Sequence, residues 1–153
     1  MTTSPSTVIP VTVVIAGHRH SASGLMTAGI ILASGGYEKE LSLTLGVGSR
    51  EEADLRAALA ALATLRAPEQ TMAGILTDSR TLGAVIEDGQ GLEGLAPLCQ
   101  ELRALAARCH GVAVVSRPHR AATLLARAAA LARAAVGGGN DAQERQRPAT
   151  RPR

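Results

Sequence analysis

The chain has 153 residues, of which 46% are apolar, and it carries a formal net charge of +3. It contains one tyrosine and neither phenylalanine nor tryptophan, so the core must be built from aliphatic side chains. The length suits one domain of roughly 100 to 200 residues. No run approaches the roughly 20 consecutive apolar residues of a membrane span, which excludes a membrane-spanning protein, and we expect a soluble one.

The positive charge is concentrated near the C-terminal end. Residues 137–153 hold four arginines and two acidic residues, which leaves the rest of the chain with almost balanced charge. Domains that bind nucleic acid through bulk charge are strongly basic. Any contact of the folded part with nucleic acid therefore depends on a local arrangement of arginines.

Composition divides the chain into three segments. Residues 1–7 form a predicted disordered leader without the basic start of a secretory signal. Residues 8–136 form the predicted domain, and residues 137–153, rich in Gly, Gln, Arg and Pro, form a predicted disordered tail. Cys99 and Cys109 give neither a CxxC motif nor a disulfide framework, so we expect reduced thiols in a cytoplasmic protein.

Three strands are predicted at the start of the domain. The β-branched run from Val8 to Ala16 is typical of a buried strand, and a loop from Gly17 to Gly24 follows it. Residues 26–34 and 37–45 are strand-like and are separated by two glycines, which suit a tight hairpin turn. The domain therefore begins with an antiparallel arrangement.

Helices and strands alternate in the rest of the domain. Ser49 and Glu52 form a capping box that begins a helix, and Pro68 follows its end. The later elements are a strand from Thr71 to Thr77, a short helix through Glu87, a helix from Leu92 to Cys109, a strand from His110 to Val115, and a last helix opened by Pro118. The predicted order is β-β-β-α-β-α-α-β-α.

This order, with three local stretches, resembles the ribonuclease H family. Residues 52–62 look like the first helix of that family, residues 75–79 (Ile-Leu-Thr-Asp-Ser) like its fourth strand and the following turn, and residues 125–130 like its last helix. The resemblance covers nearly the whole domain. It implies an α/β fold with a five-stranded mixed sheet in the order 3-2-1-4-5, flanked by helices.

The resemblance also implies a site to search for. The family hydrolyses a phosphodiester with two Mg²⁺ ions held by four carboxylates, which are the hard oxygen ligands that this ion prefers. By position, Asp54 matches the second acid and Asp78 the third. The first falls near Ala16, Gly17 or His18 and the fourth at Thr123, and none of these is a carboxylate.

Loss of the first and fourth acids predicts loss of normal ribonuclease H activity, because the first acid is implied to bridge both ions. An imidazole from His18 could replace it, which would favour a softer ion such as Mn²⁺ or Zn²⁺. If the chain is active, the predicted catalytic residues are Asp54 and Asp78, the metal ligands are these two with His18, and the cofactor is Mg²⁺ or Mn²⁺.

Each of these residues also has a structural interpretation. Asp54 lies near a helix start, where the helix dipole stabilises acids. Asp78 or Ser79 could simply cap the following helix. His18 and His20 are two residues apart in a predicted loop that supplies no further zinc ligands.

Arginines near the predicted strand ends are candidates for phosphate contacts. Aromatic stacking on bases is disfavoured, because Tyr37 is the one aromatic residue. The alternative interpretation is that arginine is simply the solubilising residue of this protein. The candidate nucleic-acid-binding residues are Arg19, Arg50, Ser79, Arg80 and Arg117.

Three hypotheses for function follow. The first is a degenerate ribonuclease H-like domain that acts as a nucleic-acid-binding or accessory module, with an RNA/DNA hybrid or structured RNA as its partner. The second is an active metal-dependent endonuclease on RNA/DNA hybrids with an atypical site. The third is a protein-interaction scaffold that uses the aliphatic faces of residues 92–109 or of the final helix.

Overall fold

A mixed sheet with helices on both faces forms the molecule. The computed structural model describes residues 7–116, 122–135 and 143–148. Its strands are β1 (Ile9–Arg19), β2 (Leu25–Ser34), β3 (Tyr37–Val47), β4 (Thr71–Thr77), β5 (Gly111–Ser116) and β6 (Gln143–Pro148), and its helices are α1 (Arg50–Ala63), α2 (Arg80–Ile86), α3 (Ala96–Arg108) and α4 (Ala122–Ala134). None of these helices is long and apolar enough to cross a membrane.

The strand order is β5-β4-β1-β2-β3-β6. β2 is antiparallel to β1 and to β3, whereas β4 is parallel to β1 and to β5. The predicted order 3-2-1-4-5 is therefore confirmed for the first five strands. Because β1, β4 and β5 run in the same direction, their carboxyl ends meet at one edge of the sheet, which is where ligands usually bind in such folds.

Strand β1 is longer than predicted. The sequence placed Gly17 at the start of a loop, but Gly17, His18 and Arg19 continue the ladder with β2. The prediction was wrong here because a neighbouring antiparallel strand can extend a strand beyond its apolar residues. His18 therefore lies on a strand, where its direction is fixed by the pleat.

The helix starts follow local signals in the sequence. The Ser49 oxygen accepts a hydrogen bond from the N–H of Glu52 at 3.1 Å, which confirms the predicted cap of α1. Ser79 caps α2. α3 begins at Ala96 rather than at Leu92, because Gly94 has a φ of +80°, outside the helical region.

Two aliphatic cores lie on opposite faces of the sheet. The larger core joins β1, β2 and β4 to α1, α2 and α3, with Leu55 and Ile75 fully buried within it. The smaller core joins Val14 and Ile31 of the sheet to Leu125 and Ala128 of α4. Cys99 is buried, Cys109 is half-buried, and both are free thiols.

Helix α4 lies very close to β2. A Cβ on Gly29 would overlap the carbonyl oxygen of Ala128. Further along α4, the hydroxyl of Thr27 donates to the carbonyl oxygen of Ala132 at 2.6 Å, and that of Ser42 donates to the carbonyl oxygen of Leu131 at 2.7 Å. These bonds satisfy carbonyls near the helix end and fix α4 on the sheet.

Strand β6 departs from the predicted disordered tail. Its six residues pair antiparallel with Tyr37–Ser42 of β3. An edge strand presents unpaired backbone N–H and C=O groups, which can bind a segment whatever its side chains. The sequence did not predict this pairing, because the segment that forms β6 contains few of the apolar residues that indicate a strand. The remainder of the predicted tail and residues 1–6 of the predicted leader lie outside the described residues.

Candidate functional site

The carboxyl ends of β1 and β4 and the starts of α1 and α2 meet at one edge of the sheet. Gly17 of β1 lies directly against Asp54 of α1, so that a Cβ at position 17 would overlap the Oδ1 atom of Asp54. The sequence brings these elements together through the parallel pairing of β1 with β4, in which Ile15 is level with Thr77. This edge holds most of the residues predicted from the sequence.

Asp54 is buried, with 5% of its surface exposed. The backbone N–H of Gly17 and the side chain of Ser79 donate hydrogen bonds to its carboxylate. Arg50 lies one helical turn earlier, with its Nε atom 3.6 Å from Asp54 Oδ1. Burial raises the pKa of Asp54, and the charge of Arg50 and these hydrogen bonds oppose that effect. The carboxylate is therefore engaged by donors of the protein itself.

Ser79 is held on three sides. Its Oγ atom accepts a hydrogen bond from the N–H of Thr81 at 3.2 Å, and its own N–H donates to Thr77 Oγ1 at 3.0 Å. Its carbonyl oxygen accepts a hydrogen bond from the hydroxyl of Ser116 at 3.0 Å. Ser79 is 8% exposed, so the structure places this candidate for nucleic-acid binding beneath the surface, where it positions Asp54.

Asp78 lies between β4 and α2, and its side chain is exposed. In the described ranges, no three side chains of His, Cys, Asp or Glu are grouped so as to hold a metal ion. Every buried side-chain polar atom in those ranges has a hydrogen-bond partner. The predicted ligands Asp54, Asp78 and His18 are therefore not part of a group of three such side chains in the described ranges.

The structure distinguishes between the positions proposed for the first acid. Gly17 has no space for any side chain, because Asp54 occupies it. Ala16 and Leu124 of α4 both pack against the smaller core, and the exposed Thr123 precedes Leu124. Of the three positions near which the resemblance places the first acid, Ala16 and His18 therefore have room for a side chain, and the resemblance places the fourth acid at Thr123.

His18 and His20 contact each other at the end of β1. Their ring centroids are 4.3 Å apart at an angle of 82°, and His20 Nε2 lies 3.3 Å from Thr27 Oγ1. Burial lowers the pKa of His18, and the positive charges of His20, Arg50 and Arg133 lower it further. Surrounding cations oppose the binding of another cation, so the neighbourhood of His18 is a poor place for a divalent metal.

Three of the arginines predicted to bind nucleic acid lie near this edge. Arg19 ends β1 and donates from Nε to the carbonyl oxygen of Gly48 at 2.9 Å, while its side chain stays exposed. Arg50 and Arg80 are the first residues of α1 and α2, and both are exposed. Arg117 lies outside the described residues.

Sequence reasoning missed Arg133. This residue lies in the last turn of α4, far along the chain from β1, and its charge acts on His18. No local pattern could have found it, because only the packing of α4 across the sheet brings the two together. The role of Gly17 was missed for the same reason.

A groove on the opposite side of α1 matches part of the scaffold hypothesis. It lies between α1 and α3 and has a volume of about 530 Å³. Leu59 of α1 and Leu105 of α3 form its apolar floor, with Arg56 and Arg108 among its lining residues. The helix predicted over residues 92–109 thus presents part of its aliphatic face here.

Comparisons with known proteins give the fold. No family model and no curated protein matches the sequence. Among solved structures, the chain is similar to the RNase H1 of the halophilic archaeon Halobacterium salinarum NRC-1, with 19% identity over 84% of this chain and 98% of that one and a TM-score of 0.65. The N-terminal RNase H domain of a Mycobacterium tuberculosis protein matches with 19% identity over 84% and 94% of the two chains, also with a TM-score of 0.65.

A third similar structure contains a ligand. It is LC11-RNase H1 in complex with an RNA/DNA hybrid, an enzyme isolated from compost by a metagenomic approach. This chain matches it with 14% identity over 83% of its own length and 96% of the other, with a TM-score of 0.69. Together with the strand order and the helix positions, these matches establish that the chain has the ribonuclease H fold.

Proposed function

We propose that the chain is a ribonuclease H-like domain that binds nucleic acid without cleaving it through a two-metal mechanism. The observation that carries this proposal is the state of Asp54. Its carboxylate is buried and is held by Gly17, Ser79 and Arg50. A ligand of Mg²⁺ needs a charged oxygen directed at the ion, whereas this oxygen is directed at the protein.

The small number of carboxylates at this edge also supports the proposal that the chain does not use a two-metal mechanism. Two Mg²⁺ ions placed a few ångströms apart repel each other, and several carboxylates are needed to hold them. At the matching positions this chain has Ala16 and Thr123, and the exposed Asp78 is the one fully accessible acid of the predicted set. Arg50 adds positive charge at the same edge.

An RNA/DNA hybrid is the proposed partner, with structured RNA as the related alternative. LC11-RNase H1, which has the same fold, is in complex with a hybrid. Binding here would rely on phosphate contacts, because the chain has little aromatic surface for stacking. The proposed contacts are Arg19, Arg50, Arg80 and Arg117, with Ser79 acting through the carboxylate of Asp54. The two free thiols suit the expected cytoplasmic setting.

A binding assay tests this proposal. The full chain is titrated into fluorescently labelled RNA/DNA hybrid, RNA duplex and DNA duplex at moderate salt, and anisotropy is measured. We expect saturable binding that weakens steeply with salt, as phosphate contacts require. The Arg80→Gln variant should bind more weakly than the wild-type chain. Arg66 is an exposed arginine near the opposite edge of the sheet, so the Arg66→Gln variant should bind like the wild-type chain. Absence of binding to all three duplexes would refute the proposal.

A further inference from the structure

Two arginines and a histidine from three different elements lie near the end of β1. Arg50 comes from α1, His18 from β1 itself, and Arg133 from the last turn of α4. The charges of both arginines act on His18. Where the resemblance calls for acids, this chain has two arginines and a histidine.

A continuous set of contacts fixes this arrangement on the side of α1. Arg50 Nε lies 3.6 Å from Asp54 Oδ1, and the Asp54 carboxylate accepts the backbone N–H of Gly17. Gly17 immediately precedes His18 in β1. The buried carboxylate of Asp54 thus connects the guanidinium group of Arg50 to β1, the strand that carries His18.

A second set of contacts fixes the arrangement on the side of α4. His18 pairs with Thr27 across the β1–β2 ladder. The hydroxyl of Thr27 donates to the carbonyl oxygen of Ala132 at 2.6 Å, and Arg133 follows Ala132. Because Thr27 is fully buried, this hydrogen bond anchors the end of α4 beside His18.

The cationic groups remain accessible to a ligand. The side chain of Arg50 is 50% exposed, Arg133 is exposed, and His18 is half-buried. Like charges brought together raise the free energy of the folded state, and Asp54 offsets only the charge of Arg50. A bound phosphodiester, which carries one negative charge, would relieve this repulsion. Guanidinium groups suit a phosphate in particular, because two of their N–H donors match two phosphate oxygens.

We propose that Arg50, His18 and Arg133 bind a phosphate group of the nucleic acid directly, without a bridging metal ion. This inference rests on the proposed function and assigns its central contact. It gives this end of the sheet a role that needs no metal ion, because the side chains contact the phosphate themselves. Binding is then independent of divalent metal, and inorganic pyrophosphate competes for the same groups.

The test measures binding of a labelled RNA/DNA hybrid to the full chain by anisotropy, in EDTA and in Mg²⁺ at matched ionic strength. We expect equal or tighter binding in EDTA. Arg50→Gln and Arg133→Gln should each weaken binding by about tenfold, the loss of one charge-assisted hydrogen bond, and each should lower the salt slope by about one. Arg66→Gln is the matched control and should change the affinity by less than about twofold.

The outcomes separate this inference from the function on which it rests. If the wild-type chain binds no nucleic acid in either buffer, the proposed function fails and this inference fails with it. If the chain binds but requires Mg²⁺, or if both arginine variants bind like Arg66→Gln, the inference is overturned and the proposed function stands. Circular dichroism confirms that each variant is folded. Competition by pyrophosphate, measured in EDTA with the wild-type chain, is a second readout that does not depend on the folding of a variant, and absence of competition would also overturn the inference.

Discussion

The Oδ1 atom of Asp54 lies so close to Gly17 that no side chain fits at position 17. The approach lets the backbone N–H of Gly17 donate to the carboxylate. The end of β1 and the start of α1 therefore meet through a backbone contact, without space for a metal ion between a residue at position 17 and Asp54. This contact is the basis of the first prediction.

Gly17→Ala should lower the free energy of unfolding by about 1 to 3 kcal/mol, because the added methyl group must displace Asp54 or α1. Urea denaturation of the variant and the wild-type chain measures the effect. Gly74→Ala is the control, because Gly74 lies in β4 with open space around the position of its Cβ. Equal stability of the two variants would contradict the close approach.

Asp54→Asn should remove a pH dependence of stability. Burial raises the pKa of Asp54 in the folded state above its ordinary value of 3.8. Between pH 3.8 and the raised pKa, the folded chain therefore binds more protons than the unfolded chain. The free energy of unfolding of the wild-type chain therefore falls as pH rises through that window, and the loss persists at neutral pH. Asparagine cannot ionise and avoids the loss.

Urea denaturation from pH 3 to pH 8, in steps of about one unit, measures this effect. The stability of Asp54→Asn relative to the wild-type chain should rise with pH through the window and then level off. A relative stability that falls with rising pH would mean that the fold lowers the pKa of Asp54, as a strong ion pair with Arg50 would.

Replacing Ala16 and Thr123 with aspartate should create a metal site. The double variant supplies carboxylates at the fourth position and at one of the three candidates for the first, at the same end of the sheet as Asp54 and Asp78. Mg²⁺ or Mn²⁺ should then raise its melting temperature, since a ligand at 100 times its Kd stabilises by about 2.7 kcal/mol. Differential scanning calorimetry with and without the ion measures the shift. The single variants are controls, and an equal shift in the wild-type chain would show that a metal site already exists.

Thr27→Val should lower the free energy of unfolding by about 1 to 3 kcal/mol, because the carbonyl oxygen of Ala132 loses its buried donor. Thermal denaturation measures the loss. Ser34→Ala is the control, because the bond from Ser34 Oγ to the carbonyl oxygen of Pro10 is exposed and should contribute little. A Thr27→Val chain as stable as Ser34→Ala would show that this bond does not anchor α4.

The sequence was sufficient to predict most helices and strands, because the caps and turns that begin and end them are local in the chain. The Ser49 cap of α1 lies within a few residues of the helix it begins. The hairpin between β2 and β3 follows from two glycines, of which Gly35 has a φ of +59°. The order of the five main strands then followed from the resemblance, and the solved structures confirm it.

The site could be predicted only in part, because its contacts join distant residues. Asp54 and Asp78 were found through local motifs, but the burial of Asp54 depends on Gly17 and Ser79 meeting across the sheet edge. The charge of Arg133 acts on His18 only because α4 crosses the sheet at Thr27. Strand β6 depends on the free edge of β3, which no property of the tail sequence reveals.

The most direct test of binding without cleavage follows a labelled RNA/DNA hybrid incubated with the full chain in Mg²⁺ and, separately, in Mn²⁺. Native gels report binding, and denaturing gels of the same samples report cleavage. We predict a shifted but intact hybrid in both metals. Cleavage that depends on the metal and disappears in Asp78→Asn would contradict the proposal and establish a nuclease with an atypical site.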